Sequence, residues 1–113
     1  MKENRPWGSY RTLEETSYCK VKTIQVRPGQ ALSYQTHKLR SEDWTIVSGS
    51  GYVILDGDYH RAMPGDKYKI EAGQKHRAGC LPEDPGMVFI EIQSGDYFGE
   101  DDIVRYEDMY DRS

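Results

Sequence analysis

GQALSYQTHKLRSEDWTIVSG, running from Gly29 to Gly49, is the stretch on which the fold turns. Gln35, His37 and Glu42 stand between its two terminal glycines, and His76 follows in a second Pro/Gly-punctuated segment downstream. Residues 35 and 37 are two apart, so on a β-strand both project from one face and can be offered to one ion. Glu42 lies too far along to share that face. It opens the apolar run Trp44 to Val47, which predicts a new strand after a short turn, and a hairpin there would bring its carboxylate beside His37. An oxygen from Gln35, nitrogens from His37 and His76 and a carboxylate from Glu42 make a mixed set suited to Zn, Fe, Mn, Co or Ni, with positions left for substrate. No thiolate is involved, which argues against a structural zinc knuckle. The competing reading, scattered surface histidines, has to explain two histidines, a glutamate and both glycines falling in register.

Outward from this stretch the chain keeps an antiparallel β rhythm. Turn signals recur about every eight to ten residues, at Pro28-Gly29, Ser48-Gly49-Ser50-Gly51, Asp56-Gly57, Pro64-Gly65-Asp66 and Ala72-Gly73. They separate eight candidate strands at 18–27, 32–37, 43–48, 51–55, 59–62, 67–70, 75–79 and 87–93. Asp56-Gly57 is a strong hairpin signal. Eight such strands suit an all-β jelly roll or small barrel. In the last of them Val88, Ile90 and Ile92 share one face, while Phe89, Glu91 and Gln93 share the other. A polar face on a central strand reads either as the wall of a wet cavity or as a face simply exposed to solvent. The ends read as less regular: an N-terminal arm at 1–17, a core barrel at about 18–95 and a C-terminal strap at 96–113. Ile103, Tyr106 and Tyr110 fall at helical spacing, so this last part is expected as a short helix or a strap, with Glu100-Asp101-Asp102 as a helix start or a solvated turn.

Size and charge narrow the function. A chain of 113 residues is one domain with one core, and no second catalytic domain is expected. The formal net charge of −4, with Lys and Arg dispersed, argues against nucleic-acid or membrane-surface partners. No apolar run nears the roughly 20 residues of a membrane span, and Met1-Lys2-Glu3-Asn4-Arg5 does not lead into a signal peptide, so a cytoplasmic location is expected. Cys19 and Cys80 are expected reduced and packed rather than bridged. Open sheet edges in a small β domain predict a homodimer.

The two-part motif, with glutamine where the first histidine usually stands, resembles that of a cupin barrel, the double-stranded β-helix. Further stretches make the likeness more specific: Arg5-Pro6-Trp7-Gly8; Gln35-Thr36-His37 with Arg40, Glu42 and Trp44; Val47-Ser48-Gly49; Ala72-Gly73 with Lys75-His76-Arg77; Glu91-Ile92-Gln93-Ser94-Gly95; and Gly99-Glu100-Asp101-Asp102-Ile103-Val104-Arg105, then Asp108, Tyr110 and Arg112. From Arg5 to Arg112 the chain is similar to the cupin domain of type II mannose-6-phosphate isomerases. That resemblance implies one divalent metal, zinc first among the candidates, held by Gln35, His37, Glu42 and His76. It also implies isomerisation of mannose 6-phosphate to fructose 6-phosphate. Such a reaction needs a general base, for which Glu91 and Lys75 are candidates. It also needs cations for the phosphate, for which Arg40 and Arg77, flanking the ligands, are candidates. In many relatives a sugar-nucleotide-forming transferase domain precedes the cupin, and guanylyl transfer is not expected of this chain.

One barrel hosts many chemistries. The isomerase reading therefore stands beside another cupin enzyme, such as a metal-dependent dioxygenase or a sugar-nucleotide epimerase, and beside a non-catalytic sugar-binding or regulatory module.

Overall fold

In the computed structural model residues 1–108 are described, and they form two facing antiparallel sheets. Eleven strands follow in order: β1 (Lys2–Arg5), β2 (Gly8–Glu15), β3 (Cys19–Val26), β4 (Tyr34–Thr36), β5 (Arg40–Gly49), β6 (Gly51–Leu55), β7 (Asp58–Ala62), β8 (Lys67–Ile70), β9 (His76–Gly79), β10 (Met87–Gly95) and β11 (Val104–Glu107). The sheets run β1-β2-β3-β10-β5-β8 and β11-β4-β9-β6-β7. From β3 onward the chain passes repeatedly between them, which is the double-stranded β-helix of a cupin. The Asp56-Gly57 hairpin joins β6 to β7 as expected, with positive φ at both residues (48° and 87°), the backbone that a two-residue hairpin turn requires.

Four expectations need correction. Eight strands become eleven, because residues 2–5 and 8–15, read as an irregular arm, form a hairpin that extends the first sheet beside β3, and residues 104–107 of the C-terminal strap add a strand to the second. Glu42 does not follow a hairpin: β4 and β5 lie in opposite sheets, so the Lys38–Leu39 turn is a crossover. Nor does Glu42 open its strand, which begins at Arg40 and makes Glu42 its third residue. Finally, no helix occurs among the described residues near the C-terminus. Residues 99–102 form a turn and Val104–Glu107 pairs with β4, while Tyr110 and Arg112 lie outside the described residues. The acidic run is better used there than at a helix start, because Asp102 accepts the backbone N–H groups of Lys38 (3.1 Å) and Leu39 (2.8 Å).

The interior is layered by cross-strand register. Ile24, Phe89 and Ile46 sit side by side on β3, β10 and β5, and all three are buried. With Val26, Met87, Val53 and Ala78 they make an apolar floor, capped by Trp44, whose ring lies 4.7 Å from that of Phe89. One layer up the register pairs Lys22 with Glu91 and Glu91 with Trp44; in the next, Gln93 faces Glu42. The polar face expected on β10 therefore points inward and is buried, while Ile92 on its other face is 37 % exposed.

At the barrel's far end a buried carboxylate ties three segments together. Asp84 accepts from the Ser50 hydroxyl (2.8 Å), the Leu81 N–H (2.8 Å) and both terminal nitrogens of Arg61. Arg61 holds the Asp84 carboxyl down to about 2, against burial, which pushes the other way. Because the folded value lies below the ordinary 3.8, the stabilisation is complete above that pH and is lost as pH falls through about 2. Asp84→Asn should cost about 2 kcal/mol at neutral pH, since the half-exposed Arg61 can still be hydrated. Chemical denaturation between pH 7 and 2 should show the variant with a flatter acid limb than the parent protein.

Candidate metal centre

Both sheets contribute to one cluster. His76 opens β9 and faces Gln35 of β4 across the second sheet, His37 stands immediately after β4, and Glu42 comes from β5 in the first sheet. One ligand atom from each of His37, Glu42 and His76 lies within 4.8 Å of the others, and all three residues are buried. The two imidazole centroids are 5.3 Å apart, and the Trp44 ring meets His76 edge-on at 5.7 Å. Gln35 lines the same cavity, and its amide oxygen accepts the Ser33 hydroxyl at 3.2 Å.

Glu42 is held by two donors, Arg40 Nε at 2.8 Å and Trp44 Nε1 at 2.9 Å. Burial disfavours the Arg40 charge, but Glu42 and Glu91 outweigh it and the guanidinium stays protonated. Burial and Arg40 lower His37 to about 4, and burial lowers His76, so both rings are neutral at pH 7. Glu91 is pushed up to about 7, first by burial and then by the Glu42 carboxylate, and it accepts the Gln93 amide at 2.8 Å. A buried carboxyl held above the usual carboxylate range beside two neutral imidazoles is an arrangement able to give and take protons.

This donor set fits a divalent cation. His76 donates Nδ1–H to the Gln74 carbonyl (2.9 Å), which leaves Nε2 directed at Glu42, 4.0 Å away, buried and without a hydrogen-bond partner. A backbone carbonyl orienting a ligating histidine in this way is a common second-layer arrangement. His37 is set differently. Its Nε2 accepts from Arg40 Nη2 at 3.0 Å, so Nδ1 carries the proton and faces Glu42 at 3.7 Å with no partner. Ligation through that nitrogen requires the proton to leave and Arg40 to withdraw from Nε2.

Of the sequence candidates outside the ligands, Arg40 and Glu91 line the cavity, and two others do not. Lys75 and Arg77 flank His76 on β9 or just before it, so strand alternation turns them away as His76 turns in. Lys75 is exposed, with its ammonium 4.5 Å from the centroid of Tyr106. Arg77 donates to the carbonyls of Leu32 (2.7 Å) and Glu107 (3.0 Å) and to the Glu107 carboxylate (2.7 Å), thereby anchoring β11. Neither fits the role of base or phosphate ligand. Sequence reasoning missed Arg5, Tyr10, Lys22 and Arg105, which also line the cavity. Lys22 was detectable, since it shares the inward face of β3 with Ile24 and Val26. Arg105 closes the specific GEDDIVR string.

The geometry agrees with comparisons to known proteins. The family described as mannose-6-phosphate isomerase C-terminal matches residues 1–108. The chain is 40 % identical over 111 residues to a mannose-1-phosphate guanylyltransferase of Escherichia coli strain K12, covering 96 % of this chain and 22 % of that protein. It is 41 % identical over 112 residues to the alginate biosynthesis protein AlgA of Pseudomonas syringae pv. tomato, with 96 % and 22 % covered. The chain thus spans about a fifth of the length of these relatives. Among solved structures, a cupin protein from Bacteroides fragilis superposes with a TM-score of 0.70 at 20 % identity, covering 88 % of this chain and 87 % of that one.

Zinc added to metal-stripped protein should raise its unfolding free energy by about 2.7 kcal/mol at a free concentration 100-fold above Kd. His76→Ala and Glu42→Gln should each abolish that shift in a thermal melt, and titration of the chelated and reloaded proteins checks the stoichiometry.

Proposed function

Because the chain belongs to the mannose-6-phosphate isomerase C-terminal family, we propose that it is a metal-dependent aldose–ketose isomerase interconverting mannose 6-phosphate and fructose 6-phosphate. The observation that carries this reading is the placement of the buried Glu91 carboxyl in the cavity lined by Gln35 and His37, next to the His37–Glu42–His76 cluster. Gln35, His37, Glu42 and His76 are the proposed ligands. Zinc is the proposed occupant, with Mn, Fe, Co and Ni as alternatives.

The reaction moves one proton between the first two carbons of the open-chain sugar through an enediol. A bound divalent cation supplies stabilisation of the negative charge that develops on the sugar oxygens. Glu91 in its carboxylate form takes the proton from C2 and returns it to C1, while the hydrogen on the C2 hydroxyl passes to the C1 oxygen, so the sugar leaves with its atoms unchanged in number. Gln93 donates to Glu91 and holds the carboxyl facing the cavity. Arg40, bonded to Glu42, keeps the local charge balanced and fixes that carboxylate. Burial of these groups keeps bulk water from protonating the intermediate. A symmetric dimer and a cytoplasmic location accord with this role. The outer strands of the two sheets, β1 and β8 in one and β11 and β7 in the other, are the edges a second copy would cover.

Metal-reconstituted protein should convert mannose 6-phosphate to fructose 6-phosphate, and Glu42→Ala and His37→Ala should both abolish the conversion. Glu91→Gln should bind metal at the same stoichiometry and lose 10²- to 10⁴-fold in kcat. Stoichiometric metal without turnover would overturn the isomerase reading in favour of a sugar-binding module or another cupin chemistry.

A further inference from the structure

The cavity concentrates positive charge in a protein whose formal net charge is −4. Four cations, Arg5, Lys22, Arg40 and Arg105, line it against two carboxylates, Glu91 and Glu100. Arg40 is committed to Glu42 and His37, and the other three are disposed otherwise. Lys22 is 6 % exposed, yet among the described residues no carboxylate comes within ion-pair distance of its ammonium, which lies 4.3 Å from the centroid of Tyr10. Glu91, its cross-strand neighbour, bonds Gln93 and feels the Lys22 charge only at longer range. The Arg5 guanidinium carbon sits 5.1 Å from the same ring, and its nitrogens donate to the Tyr10 hydroxyl (3.1 Å) and the Asn4 carbonyl (2.8 Å), with Glu3 at 3.7 Å. Arg105 enters from the opposite sheet on β11, and its Nε is 3.9 Å from Asp108. Two cations gathered on one aromatic ring, one of them buried, repel each other. The ring face offsets only part of that cost. An anion between them would reverse its sign.

We infer that Arg5, Lys22 and Arg105, grouped around Tyr10, form the receptacle for the phosphate of the substrate. This rests on the sugar-phosphate reading of the cavity and names the end of the ligand that each wall takes. The cavity has a volume of about 90 Å³. The carbonyl end lies toward Gln35, His37 and Glu91, and the phosphate lies toward Tyr10. Arg5 and Arg105 offer planar forks to the phosphate oxygens, while Lys22 supplies a point charge from the floor. Hairpin β1–β2 and strand β11, the two terminal additions to the sheets, thereby each gain a chemical role.

The test is binding of inorganic phosphate, of mannose 6-phosphate and of unphosphorylated mannose to the metal-loaded full chain by calorimetry. Parent protein is compared with Arg105→Gln, Arg5→Gln and the near-isosteric Lys22→Met. Zinc affinity is measured alongside as a check that the barrel is intact. The expected result is a tenfold or greater loss of phosphate and mannose 6-phosphate affinity in Arg105→Gln and Lys22→Met, with zinc affinity retained, and a parent affinity that falls as salt is raised. If the folded variants bind phosphate as the parent does, the receptacle is refuted. If the parent turns over mannose 6-phosphate while both variants keep its KM, the receptacle is again refuted and the isomerase stands. If phosphate binding is strong and variant-sensitive but no turnover occurs with any metal, the receptacle stands and the isomerase reading falls.

Discussion

A carboxylate enclosed between two β-sheets must be answered by donors, and much of this structure is arranged around the answer given to Glu42. An unpaired charge in such a place costs several kcal/mol. Arg40 and Trp44, two residues to either side on the same strand, both point inward with Glu42 because of the strand's period, and both donate to it. Trp44 then stacks on Phe89, so one indole joins the apolar floor to the polar centre. Arg40 reaches on to His37, and its charge is balanced further by Glu100 at 3.7 Å. The apolar core and the candidate metal centre are therefore one packed unit. A change in either is felt in the other through the position of a single ring.

Much of this was legible in the sequence, because strands report themselves through alternation and turn residues. The Asp56-Gly57 hairpin and the inward polar face of β10 each follow from local pattern, and the grouping of His37, Glu42 and His76 follows from the likeness of the two-part motif to that of a cupin. What was not legible depends on pairings distant in sequence. No local signal distinguishes a hairpin from a crossover between Gln35 and Glu42, since either brings His37 and Glu42 together; the assignment of β4 and β5 to opposite sheets is decided by the partners β9 and β10. The N-terminal hairpin was obscured by its largely exposed, polar residues from Arg11 to Glu15. Lys75 and Arg77 were favoured for standing next to a ligand, yet adjacency on a strand places side chains on opposite faces, and that rule should have counted against them.

Conversely, the cavity residues that local reading passed over are those on an inward face whose chemistry differs from their neighbours. Lys22 follows Ile24 and Val26 in period along β3 and is a cation where the pattern calls for an aliphatic side chain. The same logic applies to Glu91 and Gln93 above Phe89. In a small barrel the inward face changes from apolar to polar at one level of the register, and that level marks the boundary between what holds the fold together and what meets a ligand.

The clamp that Asp102 places on the Lys38–Leu39 turn carries a consequence for the order in which the molecule assembles. His37 and Arg40 flank a turn whose backbone donors are satisfied only by a residue more than sixty positions later, and β4 gains its second neighbour only when β11 docks. Closing so long a loop costs conformational entropy that no local contact returns. The apolar floor meets the same cost, because β3 and β10 pair residues 61 to 75 positions apart, so both the barrel and the turn between His37 and Arg40 wait on the chain's last quarter.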